Sequence, residues 1–529
     1  MNWRKEVALT MTEEKKQTAP QEMSAEEVMK KYDKESDKRN PVGAWHYIIS
    51  GICILFACFQ LYTAIFGVLD AHLQRTIHLM FGLTLIFLLY PGRKSWSRSS
   101  MNPIDVICAL LGIGTTGYLL LNYQELVLRA GLNTQTDIIV GIIGVLMVFE
   151  ATRRTVGWPM LTVALIFVAY AFLGPYMPGI LAHRGVGFDE LVSHLFFTTE
   201  GIFGVPMGVS STFIYLFILF GAYLDATGLG KFFIDMANAL AGWAIGGPAK
   251  VAVLSSGLMG TVSGSSVANV AGTGSFTIPM MKKLGYRPSF AGAVEAAAST
   301  GGQLMPPVMG AAAFLMAEFV GVPYIEVVKA AVIPALLYYT GIWLSVHYEA
   351  KKYGLKGTPR DQLPKFGPLL REKGHLAVPL IVIVYLLVSG YTPMRAALYA
   401  IGLTIVCACM RKNTRITFAQ FINGLVEGSQ SVLGVLIACA SAGIIIGVVT
   451  KTGVGLKLAT ALLDLAQGKM IPAMFFTMIT SLILGMGVPT TANYVITSTI
   501  AAPALVQMKV PVLAAHMFAF YFACLSAIT

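Results

Sequence analysis

The sequence predicts an all-α integral membrane protein with two inverted repeats, each carrying a re-entrant helical hairpin, behind a separate four-helix block. Three observations predict it. Of 529 residues, 56% are hydrophobic and only 12% charged, against roughly 25% charged in an average soluble protein. Apolar runs near 20 residues, enough to cross a hydrocarbon core of about 30 Å, recur from Trp45 onward. Two polar breaks 224 residues apart, Ser263-Gly264-Ser265-Ser266-Val267-Ala268-Asn269 and Gly487-Val488-Pro489-Thr490-Thr491-Ala492-Asn493, interrupt such runs with small hydroxyl-bearing residues and close on Ala-Asn. The echo extends outward: Thr273 matches Thr497, Pro279 matches Pro503, and Thr227-Gly228-Leu229-Gly230 answers Thr452-Gly453-Val454-Gly455. Interrupted helices in corresponding positions of two halves point to the binding site of a secondary transporter.

The net charge of +11 is spread in short clusters between apolar segments, which makes it a topology signal and not a nucleic-acid surface. Residues 1–44 hold nine basic and nine acidic residues and lack the apolar core of a signal peptide, so they are expected to form a cytoplasmic N-terminal segment. Residues 45–155 are expected as a four-helix block. Its charge alternation, with Arg93-Lys94-Arg98 and Arg153-Arg154 on the cytoplasmic side, puts the N-terminus inside. Residues 156–200 supply joining and interfacial helices. His183 and His194 there are eleven residues apart, and the seven cysteines have no ligand spacing, so no transition-metal site is expected. The first repeat then occupies 201–350, a cytoplasmic linker with seven basic residues 351–374, and the second repeat 375–529.

The arms flanking the first break, Ala249 to Val262 and Val267 to Met281, have 14 and 15 residues, about 21 to 23 Å as helix and too short to span. Each is expected to enter partway, turn at the break and return. The second repeat offers Phe475 to Met486 and Ala492 to Met508. Backbone that leaves helical geometry inside lipid must be satisfied by protein, water or ion. Carbonyls ending the first arm, with the hydroxyls of Ser263, Ser265, Ser266, Thr490 and Thr491, form neutral oxygen sets that favour a hard monovalent cation such as Na+. Asn269 and Asn493 can bond across each turn. A further interruption, Ser299-Thr300-Gly301-Gly302-Gln303-Leu304-Met305-Pro306-Pro307, is expected to unwind the next helix. Its counterpart is Cys524-Leu525-Ser526-Ala527-Ile528-Thr529, and each site would combine a hairpin tip with such an unwound stretch.

Glu295 is the sharpest ionisable residue, since an intramembrane carboxyl is costly. It could carry a proton, hold a cation, or pair with Arg287 near the interface. Its counterpart is Ala519, which confines any such role to one half. The chain has no phosphate-binding nucleotide loop, no HExxH and no serine elbow. A channel remains the alternative for the oxygen-rich breaks, and it would pass current where a transporter saturates.

The two hairpins, the stretch Ser299 to Pro307 and the motif Gly485 to Asn493 resemble the membrane subunits of tripartite ATP-independent periplasmic (TRAP) transporters. The four-helix block resembles the small subunit and the repeats the large one. Fusion in this order is similar to the subgroup with a TAXI-type extracytoplasmic solute-binding protein. The resemblance implies an inverted-repeat, elevator-type importer of the cell inner membrane. It would take small organic solutes from that partner within the lipid bilayer, with Na+ as the usual coupling ion and protons as the alternative. Carried over, site one would comprise Ser263, Gly264, Ser265, Ser266, Asn269, Thr300, Gly301 and Gly302. Site two would comprise Gly487, Pro489, Thr490, Thr491, Asn493, Ser526 and Thr529. Glu295 is the candidate proton carrier. The second copy stops before a counterpart of Pro306, so relative to the family the chain is expected to be C-terminally truncated, with site two unfinished.

Overall fold

The computed structural model describes residues 38–93, 95–129 and 131–529, so most of the N-terminal segment expected over 1–44 lies outside the described residues. The described elements are helical throughout, and eight helices are long and apolar enough to cross a membrane. The protein is a multi-pass membrane protein.

The first block contains α1 (Ala44–Phe66), α2 (Ala71–Leu89), α3 (Pro103–Leu121) and α4 (Gln135–Thr155). Local chemistry sets the starts. Asp70 accepts from His72 N, Asn102 accepts from Ile104 N ahead of Pro103, and Thr134 with Asp137 forms a reciprocal capping box. A buried ion cluster ties the chain before α1 to this block. Asp105 receives Arg39 at 2.5 Å and Arg154 at 2.6 Å, and all three side chains are buried. Glu150 takes Arg154 from the other side at 2.8 Å, and Arg39 N donates to Leu89 O. Such a cluster is tolerable away from water only because each charge is paired and hydrogen-bonded.

Next come α5 (Trp158–Leu173), the amphipathic α6 (Phe188–Phe197) and α7 (Val205–Ala226), which carries a π-helical turn at Ser210–Ile214. That wider turn opens α7 toward the first block. Ser210 Oγ meets His78 Nε2 at 3.0 Å, His78 Nδ1 meets Gln60 Nε2 at 2.7 Å, and Gln74 donates to Ser211 O at 3.1 Å. The first repeat continues through α8 (Leu229–Ala241), α9 (Gly247–Ser263), α10 (Ser266–Lys283), α11 (Pro288–Gly301), α12 (Ala311–Val320) and α13 (Tyr324–Lys352). A linker with one helix, α14 (Phe366–Lys373), leads to α15 (Val378–Val388) and α16 (Pro393–Cys409).

The second repeat is α17 (Phe418–Thr452), α18 (Val454–Leu465), α19 (Met470–Gly485), α20 (Thr490–Ile500), α21 (Ala502–Gln507) and α22 (Val512–Leu525). Helices α18, α19, α20 with α21, and α22 answer α8, α9, α10 and α11 of the first. Helix α22 starts and stops 224 residues after α11, and the 3-10 turn Gly302–Leu304 recurs at Ser526–Ile528. The first block bonds to α17 as it does to α7: Ser429 donates to Cys53 O at 2.8 Å and Thr152 meets Ser441, while Tyr215 of α7 meets Ser429 at 2.6 Å and joins the two repeats.

Candidate functional site: two hairpin tips and a caged carboxyl

Helices α9 and α10 form the first hairpin. Helix α9 stops at Ser263 because Gly264 turns to φ 61°, where an added Cβ would lie 2.6 Å from Met309 O. A side chain there would be strained and would collide with backbone. Helix α10 restarts two residues later with Ser265 as its cap, accepting from Ala268 N at 3.3 Å. Asn269, fully buried, ties the arms by donating to Ser256 O at 2.8 Å.

The following helix approaches backbone to backbone. A Cβ on Gly260 would fall 2.2 Å from Gly302 Cα, so both glycines are required. The structure corrects one expectation here. Thr300 and Gly301 remain in the helix, Thr300 bonding its own turn at Ala296 O (2.9 Å), and Gly302 begins a 3-10 turn. Unwinding starts at Met305, and Tyr324 holds the opened stretch by donating toward Pro307 O and Val308 O. The glycine pair is spent on close packing, Gly302 against Gly260 of α9 and Gly301 against Tyr338 and Tyr339 of α13, not on breaking the helix.

Helices α19 and α20 form the second hairpin on the same plan, with one residue fewer between the bonded serine and asparagine but a longer non-helical tip, Met486 to Pro489 against Gly264 and Ser265. Asn269 reaches Ser256 O across 13 residues, whereas Asn493 reaches Ser481 O across 12 (3.3 Å). Asn493 also bonds Ser526 Oγ at 2.9 Å and Ala523 O at 3.4 Å, joining both arms to the following helix. Its Oδ1 is a buried acceptor without a hydrogen-bond donor among the described residues. Gly487 takes φ 74° and faces Pro159 of α5. The expected single second arm is interrupted at Ala501, ahead of Pro503, giving α20 and α21. In the first hairpin Pro279 is accommodated inside one continuous helix. The two breaks meet, with Cys524 Sγ 3.9 Å from Gln303 Oε1.

Beneath the first tip lies a cavity of about 400 Å³, bounded by Ser263, Ser265 and Val267 of the hairpin, Asp225 of α7, Phe314 of α12 and Gln430 of α17. Residues 143–529 match the family described as the tripartite ATP-independent periplasmic transporter, DctM component. The chain belongs to this family. The chain is 29% identical over 301 residues to the isethionate TRAP transporter permease DctMQ of Oleidesulfovibrio alaskensis, covering 56% of this chain and 46% of that protein. It is 32% identical over 188 residues to the C4-dicarboxylate TRAP transporter large permease DctM of Pseudomonas aeruginosa, 35% of this chain and 44% of the relative. It is also 24% identical over 300 residues to the 2,3-diketo-L-gulonate TRAP transporter large permease YiaN of Escherichia coli, 55% and 68% respectively. The chain spans about half the length of the first two of these relatives.

Within the chain, Ser263, Gly264, Ser265 and Ser266 form the first tip, and Asn269 and Gly302 lie together behind it. Gly487, Pro489, Thr490 and Thr491 form the second tip, with Asn493 and Ser526 in direct contact. Thr529 is exposed and its hydroxyl donates to Ser526 O (3.2 Å), away from Asn493.

Glu295 of α11 does not pair with Arg287, which bonds Glu349 of α13 at 2.7 Å. Its carboxyl is fully buried in hydroxyls. Oε1 accepts from Ser256 of α9 (2.6 Å), Thr273 of α10 (2.5 Å) and Ser299 of α11 (3.2 Å), and Oε2 accepts from Thr277 of α10. Sequence reasoning missed these donors. Their signal was the four-residue spacing of Thr273 with Thr277 and of Glu295 with Ser299, which puts each pair on one helix face.

Proposed function

We propose that this chain is the membrane component of a binding-protein-dependent secondary transporter of the cell inner membrane. It imports small organic acids by Na+ symport in an elevator movement, and its N-terminus is cytoplasmic. The observation that carries this is the doubled construction of hairpin tip, buried asparagine and neighbouring 3-10 turn. It supports two neutral oxygen-rich sites on one solute path. Asn493 Oδ1, buried and lacking a donor among the described residues, is the sort of oxygen a desolvated monovalent cation takes. The first block serves as the small-subunit-like scaffold, held to the repeats by hydrogen bonds inside the membrane. An extracytoplasmic TAXI-type solute-binding protein delivers the solute. The names of the relatives, an isethionate, a C4-dicarboxylate and a diketogulonate transporter, support an organic acid. Proton coupling is the second reading, and the caged Glu295 favours it.

The test is uptake by the full-length protein in proteoliposomes with its binding protein, under imposed Na+ and pH gradients. Saturable uptake that needs the binding protein and the Na+ gradient is expected. Ion current without solute or partner would make it a channel. Replacing Ser263 or Thr490 with Trp should abolish gradient-driven uptake while the protein stays in the membrane, and unchanged uptake would sink the tip assignment.

A further inference from the structure

We propose that Glu295, with Ser256, Thr273, Thr277 and Ser299, is a proton-binding site carried by the first repeat alone, which exchanges its proton when the hairpin parts from α11. The inference rests on the transporter reading above and adds a second, chemically different ion to it.

The cage can satisfy both protonation states. With the carboxylate ionised, all four hydroxyls have an acceptor on it within 3.2 Å. When hydronium delivers a proton to Oε2 and leaves as water, Oε2–H donates to Thr277 Oγ1. The Thr277 hydrogen then turns to Thr273 O, 3.1 Å away. Thr273 likewise has Asn269 O at 2.8 Å as an alternative acceptor. No polar group of the cage is orphaned in either state, whereas a purely structural carboxylate clamp would need only one.

Among the described residues, no fixed cation holds the carboxyl ionised. On α9, the Lys250 amine meets His347 Nδ1 at 3.3 Å and lies 4.9 Å from the Trp343 ring. On α10, the basic residues Lys282 and Lys283 come in the last turn, beyond Thr277. On α13, Tyr339 is the titratable neighbour, and its hydroxyl donates to Ala298 O at 2.8 Å. The chain's own Arg287 is committed to Glu349. Because Glu295 is fully buried between α9, α10 and α11, water reaches it only when these helices separate. Proton exchange is thereby tied to hairpin movement.

The second repeat serves as an internal control. Where the acid becomes Ala519, two of its four donors also become alanine, Thr277 giving way to Ala501 and Ser299 to Ala523. The two that persist bond their own helices: Ser481 donates to Thr477 O at 2.9 Å and Thr497 to Asn493 O at 2.9 Å. The acid is lost together with two of its donors, and the two that remain serve their own helices.

The experiment is infrared difference spectroscopy of the full-length protein in liposomes during a pH titration in H2O and D2O. A carboxylic-acid C=O band should appear on acidification and be missing in E295Q. E295D should retain a band at a shifted position, which shows that the loss in E295Q is not misfolding. T277A, which removes the hydroxyl that accepts from Oε2–H in the protonated state, should move the C=O band to higher frequency. A band that persists in E295Q, no titrating band in the wild type, or an unmoved band frequency in T277A overturns the proposal. The measurement needs no solute, so its failure leaves the transporter reading standing, and failed uptake would leave this result intact.

Discussion

The two hairpins share a frame and differ in what it holds. Both use a left-handed glycine at the tip and a buried asparagine reaching the carbonyl of the first arm. Both have a 3-10 turn of the next helix pressed against that arm. The first adds a caged acid and a serine cap. The second has Pro489 where Ser265 caps its counterpart, a broken second arm and a longer non-helical tip. What is duplicated is what the re-entrant geometry requires. What is unshared marks the place where the halves have taken different work.

The strongest way to break this comparison is to put the acid where its cage is absent. A519E should destabilise the protein by about 3–5 kcal/mol, the cost of a buried unpaired charge. Adding A501T and A523S should recover part of the loss, and thermal melts in detergent would read both. Equal stability of the single and triple variants would show that the cage is not transferable.

Next come the asparagines. N493A should cost about 2 kcal/mol and N269A about 1 kcal/mol, since Asn493 Nδ2 reaches Ser481 O, Ala523 O and Ser526 while Asn269 Nδ2 reaches Ser256 O. Equal losses in denaturant titrations would mean that the bonds to the following helix contribute little. The smallest effect belongs to the caps. S265A should cost about 1 kcal/mol by removing a side-chain acceptor, and P489A well under that, because no side-chain cap exists there to lose. A cost for P489A matching S265A would remove the distinction.

Much of this frame was legible because a cluster of small and hydroxyl residues inside an apolar run breaks a helix where lipid offers no hydrogen-bond partner. Even the one-residue difference between the hairpins was written in the sequence. The Thr227-Gly228 motif recurs 225 residues on at Thr452-Gly453, while everything after the tips recurs at 224. The behaviour of Gly301 and Gly302 was not legible. Two glycines lower helix propensity, but propensity yields when neighbours distant in the chain need the space, and here Gly302 meets Gly260 of α9 while Gly301 meets Tyr338 and Tyr339 of α13. The fate of Glu295 was hidden for the same reason. Arg287 is its near neighbour in sequence, yet that side chain finds Glu349 on α13, and the hydroxyl donors come from three helices.

Helix α17 carries a last consequence. Its window has the highest mean hydropathy of the eight candidate spans, 2.7, and it is also the most enclosed, with 89% of that window buried. The stretch that a translocon would release most readily into lipid therefore ends up touching lipid least. It is made late, after α2, α4, α5 and α7, all of which pack around it. During synthesis it finds a sleeve already waiting, and α20 arrives afterwards to close the seam. A ribosome stalled before α17 would leave that sleeve open along its length, an exposed slot in the bilayer for membrane quality control to recognise.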